Sequence, residues 1–340
     1  METFIQHQPI INWAKQALHA YGYNTKVDVE LVLEAPWSCV IKLFNKKDCF
    51  YLKQCPVDLL IEAKVIQILR QSCNVTNIPS IIATNPALHC FLMTACGDQT
   101  LRTFFAGNLQ SDLLINGITV YKSLQKASSN YIDRFIGAGV LDWRLQNFPT
   151  LYQKLIYGTY KNILLKYKFL TIEQIAELQK LQSAFNDTCK KLSNFKILDC
   201  LNHSDFHDNN ILIDNLTKEI AIIDLGEVTI GNPLLSLSTC LRTIADRYQL
   251  QPKDETYIKL KSAVFEDWDI ANKDLPKILE LIAKILPIYF ILNELRLIQV
   301  CQDPSSIRIR SSDKISNAYN FFLSTMESNI QEEQRATTCC

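Results

Sequence analysis

Two short stretches concentrate the residue types that do chemistry. One reads Leu201-Asn-His-Ser-Asp-Phe-His-Asp-Asn-Asn-Ile-Leu-Ile, the other Ala221-Ile-Ile-Asp-Leu-Gly-Glu. They put Asp205, Asn210 and Asp224 on loops around two β-prone runs, 211–213 and 220–223, joined by the polar turn Asp214-Asn-Leu-Thr-Lys. A hairpin returns the chain on itself, so these three side chains can converge. A carboxylate such as Asp205 can orient an attacking hydroxyl and take its proton. An amide oxygen and a second carboxylate, Asn210 and Asp224, are hard ligands suited to magnesium, which takes much of its shell from phosphates and water. Such a cation neutralises charge on a transferring phosphoryl group. Gly226 is expected to let the backbone turn tightly beside that site.

Phosphoryl transfer also needs a cation for the phosphates. Lys53, near the end of the run Phe50-Tyr-Leu-Lys-Gln, is the best candidate, and Glu62, nine residues later on a following helix, can hold its ammonium. Lys42, on the preceding strand, reads equally as a solvated edge charge. Taken singly, each residue has an ordinary alternative: a turn aspartate, a surface lysine, an exposed helix glutamate, a hydrogen-bonded structural histidine. Their order argues otherwise. Strand lysine, helix glutamate, hinge, loop aspartate with an asparagine five residues on, hairpin and metal aspartate follow one another as a kinase requires.

The elements that must position these groups follow from periodicity. Ile10, Ile11, Trp13, Ala14, Ala17 and Leu18 space an amphipathic helix over 9–21. Runs 29–35, 39–44 and 49–53 read as three strands, a helix follows Pro56, and strands are expected at 81–84 and 90–94. The small and flexible residues Ala95-Cys96-Gly97 read as a hinge. Beyond it the pattern is helical over 100–106, 113–128 and 151–167, then from a capping box at Thr171 and Gln174 to about 192, and again from Pro233 to about 327. The expected fold is α+β and bilobal, protein-kinase-like. It has a small five-stranded antiparallel N-lobe with one helix (1–95), a larger helical C-lobe carrying the β-hairpin catalytic loop (96–330), and a flexible tail (331–340).

Composition narrows the partners. Lys plus Arg and Asp plus Glu number 35 each, so no net field favours nucleic acid or an anionic membrane. The twelve cysteines are scattered without a C-x-x-C pair, which points to packed, reduced thiols and a cytoplasmic location. The opening residues lack the layout of a signal peptide, and the most apolar stretch, 278–300, is broken by Glu280, Lys284, Glu294 and Arg296, so no membrane span is expected. Cys339-Cys340 does not form the four-residue prenylation signature.

The motif residues resemble the aminoglycoside phosphotransferase and choline kinase superfamily, whose signature is similar to H-G-D-x-H-x-x-N followed by I-D-x-G-[DE]. His203-Ser204-Asp205-Phe206-His207-Asp208-Asn209-Asn210 and Ile223-Asp224-Leu225-Gly226-Glu227 match it. Ala35-Pro36-Trp37-Ser38, Leu52-Lys53, Glu62, Leu92-Met93 with Gly97, Leu101-Arg102, the stretch Gly139 to Leu145 and Gly231-Asn232-Pro233-Leu234 extend the likeness over about 30–245. The resemblance implies ATP bound between two lobes and transfer of its γ-phosphate to a hydroxyl of a small molecule. It implies Asp205 as catalytic base, Asn210 and Asp224 as Mg2+ ligands, Lys53 with Glu62 as the phosphate-binding pair, and His203 and His207 as supports of the loop. The loop at 35–38 has no glycines and so departs from the G-x-G-x-x-G kinase pattern, and Ser38 with nearby backbone N–H groups would still meet phosphate. Ser204 stands at the usual glycine position, strained by roughly 1–2 kcal/mol if φ there is positive and accommodated if the glycine serves only closeness.

A protein kinase is disfavoured, since no H-R-D, D-F-G or A-P-E set and no activation-loop segment between Asp224 and Pro233 is present. A catalytically dead nucleotide-binding scaffold is the alternative from another class. Glu227, Asp142 and Asp246 could greet a cationic acceptor or serve as caps and surface charges, and Tyr121, Tyr131 and Trp143 could line a pocket or sit in the core. The acceptor and the oligomeric state stay open.

Overall fold

A computed structural model describes residues 6–301 and 311–326. In chain order the elements are α1 (Gln8–Ala20), β1 (Asp28–Ala35), β2 (Ser38–Phe44), β3 (Cys49–Gln54), α2 (Ile61–Gln71), β4 (Ile81–Asn85), β5 (Cys90–Thr94) and β6 (Gln99–Thr100). Then come α3 (Leu101–Phe105), α4 (Ser111–Ser128), α5 (Ile132–Ala138), β7 (Leu141–Trp143), α6 (Phe148–Ile156), α7 (Thr159–Lys166), α8 (Ile172–Lys180) and α9 (Gln182–Ser193). The rest is β8 (Cys200–His203), β9 (Ile211–Ile213), β10 (Ile220–Ile222), β11 (Val228–Gly231), α10 (Pro233–Tyr248), α11 (Glu255–Phe265), α12 (Leu275–Val300) and α13 over 311–326. The α+β class is as expected: a five-stranded antiparallel sheet and a mainly helical remainder. The tail at 331–340, with Cys339-Cys340, lies outside the described residues.

The chain divides into two compact units. The first runs up to Val140 and includes Asp205–Val228 and Cys240–Ala263. The second holds Leu141–Ser204, Thr229–Thr239 and the residues from Val264 onward. This grouping cuts across the lobes expected at 95/96, and it places Lys53, Glu62, Asp205, Asn210 and Asp224 together in the first unit.

In the first unit the strand order is β1-β2-β3-β5-β4, with every pairing antiparallel. Alternation sends Ile41, Leu43, Phe50, Leu52, Cys90 and Leu92 to one face, where they pack against Ile10, Ile11, Ala14, Ala17 and Leu18 of α1. The register sets Val40 opposite Lys53 and Lys53 opposite Phe91. Because side chains alternate, Lys53 points to the face away from α1, opposite to its neighbour Leu52. A second small sheet, β10-β9-β6, carries the antiparallel hairpin, with Ile222 opposite Ile211. Asp214 makes its turn, accepting from the N–H groups of Leu216 and Thr217 at 2.8 and 2.7 Å.

The second unit contains the sheet β7-β11-β8, whose β7 and β11 run parallel, and the helices α6–α9, α12 and α13. The capping box holds: Gln174 N–H donates to Thr171 Oγ1 at 3.2 Å and Thr171 N–H to Gln174 Oε1 at 2.8 Å. Two long helices are shorter than expected. The run 151–167 breaks into α6 and α7 at Gly158, where a Cβ would meet the Lys154 backbone at 3.0 Å. The run from Thr171 breaks at Leu181, whose N–H turns back to the Leu178 carbonyl. Among the described residues no helix is long and apolar enough to cross a membrane. None of the described cysteines is in a disulfide.

Candidate active site

The site grows from three places in the first unit. Lys53 stands on β3 and is 7% exposed; Glu62 stands in the first turn of α2, on the face that also buries Val65, Ile66 and Leu69, and is 1% exposed. Lys53 Nζ donates to Glu62 Oε2 at 2.6 Å and also to Asp224 Oδ1. The other Glu62 oxygen accepts the Leu225 N–H at 3.1 Å. Burial alone would lower the Lys53 pKa, but the Asp224 and Glu62 carboxylates outweigh it, so the ammonium is held charged above its ordinary range. Two carboxylates against one ammonium leave this cluster with a formal charge of minus one. Lys42 takes no part in the cluster: its Nζ lies over the Phe44 ring, 4.9 Å from the centroid.

Asp224 stands two residues past the end of β10 and takes a left-handed conformation, φ 65° and ψ 52°. Aspartate tolerates that region better than most residues, and such strain collects at functional sites. Gly226 lies in the single tight turn Leu225–Glu227 that follows, and the left-handed residue is Asp224 rather than the glycine. A Cβ on Gly226 would lie 3.3 Å from Glu62 Oε2, so this glycine serves the close approach of the loop to α2. Asp224 keeps 42% of its side chain exposed, unlike Lys53 and Glu62.

Residues of the 205–210 loop form a second set. Asn210 Nδ2 donates to the Asp205 carbonyl at 2.8 Å and to Asp205 Oδ2 at 3.3 Å, which leaves Oδ1 as its carbonyl oxygen. His207 Nε2 stands 3.3 Å from Asp205 Oδ1. Ile223 N–H donates to the Asn210 carbonyl at 3.1 Å, extending the β9–β10 ladder and bringing Asn210 beside the residue that precedes Asp224. Phe206 anchors the loop from beneath, stacked on the buried Tyr121 with ring centroids 3.9 Å apart. Tyr121 is therefore core.

Ser38 begins β2, two residues before the partner of Lys53 and on the same face. Its Oγ is buried and has no hydrogen-bond partner among the described residues. His203 and Ser204 lie in the second unit, buried at the end of β8 and just after it. Ser204 is not among the residues of positive φ, so serine is accommodated there, and Tyr289 OH donates to its Oγ at 3.4 Å. Trp143 is buried against Tyr289, Asp142 is paired with Arg144 at 2.6 Å, and Asp246 stands exposed beside Arg242 at 3.9 Å.

Sequence reasoning missed the fully buried carboxylate of the loop. Asp208 Oδ1 accepts from Arg102 Nε at 3.1 Å and Nη2 at 2.7 Å; Oδ2 accepts from Tyr248 OH at 2.8 Å. Burial first, then the Asp208 carboxylate, pushes the Tyr248 hydroxyl up to about 12, so it remains a donor. Asp208 sits inside the motif, but its partners lie 106 and 40 residues away, at a distance no local pattern reports.

Comparisons with known proteins bear on the fold and on the segment that carries the motif. A family model described as the phosphotransferase enzyme family matches residues 172–269. No curated protein matches the chain in overall sequence. Among solved structures, Plasmodium vivax ethanolamine kinase is 13% identical with a TM-score of 0.66, covering 92% of this chain and 90% of its own. Choline kinase from Cryptosporidium parvum is 11% identical, TM-score 0.62, covering 96% and 97%. An aminoglycoside 2′-phosphotransferase solved with GDP is 15% identical, TM-score 0.60, covering 94% and 98%. The chain thus resembles the phosphotransferase enzyme family in the segment that carries its motif, and it has the fold of these kinases along almost its whole length.

Proposed function

We propose that this protein is an ATP- and Mg2+-dependent phosphotransferase that moves the γ-phosphate of ATP to a hydroxyl group of a small molecule. The observation that carries the reading is the Lys53–Glu62–Asp224 cluster within the same compact unit as the Asp205–Asn210 loop. Asp205 takes the proton of the attacking hydroxyl, steadied by His207 and Asn210. Lys53, held by Glu62, faces the phosphates, and Ser38 Oγ is a buried hydroxyl whose hydrogen bond a phosphate oxygen would complete.

The donor set suits magnesium. Asn210 Oδ1 and the partly exposed Asp224 are hard oxygen ligands, and the cluster's excess negative charge favours a cation. Among the described residues no three His, Cys, Asp or Glu side chains form a cage, and an ion that arrives with a nucleotide and keeps its waters needs none. When bound, it supplies neutralisation of the charge on the phosphoryl group.

The residues up to about 95 would serve as the nucleotide-binding lobe and those beyond as the catalytic and acceptor-binding lobe, in the cytoplasm. The solved neighbours act, by name, on ethanolamine, choline and aminoglycosides, which supports a small hydroxylated acceptor and places amino alcohols and amino sugars first in a screen. The test is ADP release by the purified protein with Mg-ATP across amino alcohols, amino sugars and other hydroxylated metabolites. Acceptor-dependent release is expected. ATP binding without release from any acceptor would favour a nucleotide-binding scaffold, and failure to bind ATP would overturn the reading.

A further inference from the structure

The kinase reading assigns no work to the most buried charge of the catalytic loop. Asp208 is 0% exposed and lies between Asp205 and Asn210. A carboxylate is costly to bury unless its oxygens are satisfied. Here Arg102 supplies two donors to one oxygen and Tyr248 one to the other. The Arg102 main chain adds a third tie, its N–H donating to the Asp208 carbonyl at 3.0 Å. Side chain and backbone of one loop residue are therefore both held by Arg102, at the start of α3, while Tyr248 closes the pair from the end of α10.

The same guanidinium reaches the neighbouring imidazole. Arg102 Nη2 stands 3.4 Å from His207 Nδ1, and the Asn209 N–H donates to that nitrogen at 3.2 Å. Guanidinium and backbone amide are donors only. Nδ1 must then present its lone pair, and in the neutral imidazole the hydrogen sits on Nε2. Nε2 is the atom 3.3 Å from Asp205 Oδ1, so the tautomer set by Arg102 and Asn209 is the one that donates to Asp205. Asp208 Oδ1, at 4.0 Å from Nδ1, is beyond hydrogen-bond reach and does not compete.

We infer that Asp208, clamped by Arg102 and Tyr248, is a positioning residue for phosphoryl transfer. The clamp fixes the 205–210 loop and locks His207 in the Nε2–H form that orients the Asp205 carboxylate. This inference rests on the kinase reading for its consequence and on hydrogen-bond geometry for its substance. A misplaced catalytic group loses rate without losing the nucleotide, because Arg102, Asp208 and Tyr248 belong to neither the Lys53 cluster nor the Ser38 turn.

The test has two arms. In the first, ADP release from Mg-ATP is measured, with the best acceptor of the screen or with water alone, for Asp208→Asn, Tyr248→Phe, Arg102→Gln and Arg102→Lys. Turnover is expected to fall on the order of 10- to 100-fold in Asp208→Asn and Arg102→Gln, less in Tyr248→Phe, with partial rescue in Arg102→Lys and little change in KM for ATP. Where Asp208→Asn does not fold, Tyr248→Phe decides this arm. In the second arm, 15N NMR of the histidine rings reads the tautomer, with His207 assigned by its loss in His207→Gln. The Nε2–H form is expected in the wild type, and a mixture of both forms in Arg102→Gln. Unchanged turnover in the clamp variants, a parallel rise in KM for ATP, or an Nδ1–H wild type would overturn the inference. If the wild type releases no ADP at all, the kinase reading falls and the tautomer measurement alone decides whether the clamp sets His207.

Discussion

Replacing Lys53 by methionine keeps the length and apolar stem of the side chain and removes only its ammonium. Glu62, 1% exposed, then becomes a buried carboxylate that keeps the Leu225 N–H as a donor and has lost its ammonium. Removing one partner of a buried ion pair costs about 3–5 kcal/mol. Each kcal/mol moves the midpoint of a domain of about 150–250 residues by roughly 2–4 °C, so melting near pH 8 should fall by roughly 6–20 °C.

The pH dependence has a definite sign. In the wild type the Lys53 pKa is raised by its carboxylates, so its contribution is complete below the unfolded value of about 10.4 and is lost only as pH rises through the higher folded value. In Lys53→Met, burial raises Glu62 with no ammonium to oppose it. That carboxyl costs little below its unfolded value of about 4.3 and increasingly more as pH rises through the folded one. The gap between variant and wild type should therefore open upward from about pH 4.

Lys53→Met combined with Glu62→Gln should recover most of the loss, since the amide keeps an acceptor for Leu225 and carries no charge. Thermal melts across pH measure all three proteins. A single variant as stable as the wild type near pH 8, or a double variant no more stable than the single, would refute the account of a carboxylate neutralised by Lys53.

Asp205→Asn cannot accept a proton and should lower ADP release about 10²- to 10⁴-fold while calorimetry still shows ATP binding; turnover within tenfold of the wild type would remove Asp205 as base. Gly226→Ala places a methyl group 3.3 Å from Glu62 Oε2 and should cost about 1–3 kcal/mol in a denaturant titration, with a matching loss of turnover as Glu62 is pushed from Lys53. Asp199, in the second unit, has its pKa raised to about 6, by burial first, with Arg144 opposing and Asp142 adding. The folded state keeps that proton where the unfolded chain loses it, so wild-type stability should decline between about pH 4 and 6. Asp199→Asn should then melt higher than the wild type above that window and alike below it.

Much of the frame was legible because its signals are local. Alternation in 39–44 and 49–53 reports strands that bury one face, and three-four spacing reports α1, α2 and α4. The breaks at Gly158 and Leu181 were not legible, since apolar spacing continues across them and only packing shows where the axis turns. Strands β6, β7, β8 and β11, two to four residues each, are too short for a period to emerge. The pairing of Lys53 with Glu62 was readable nine residues apart.

By itself the sequence determined the residue types of the site, their order along the chain and the elements that carry them, because propensity, periodicity and motif spacing act over neighbouring residues. Tertiary structure decided that Lys53 also holds Asp224, 171 residues away, that Asp224 and not Gly226 takes the left-handed turn, and that Asp208 is enclosed by Arg102 and Tyr248. Each depends on what burial brings alongside a charge. A buried charge must find its partners in space, wherever the chain happens to supply them.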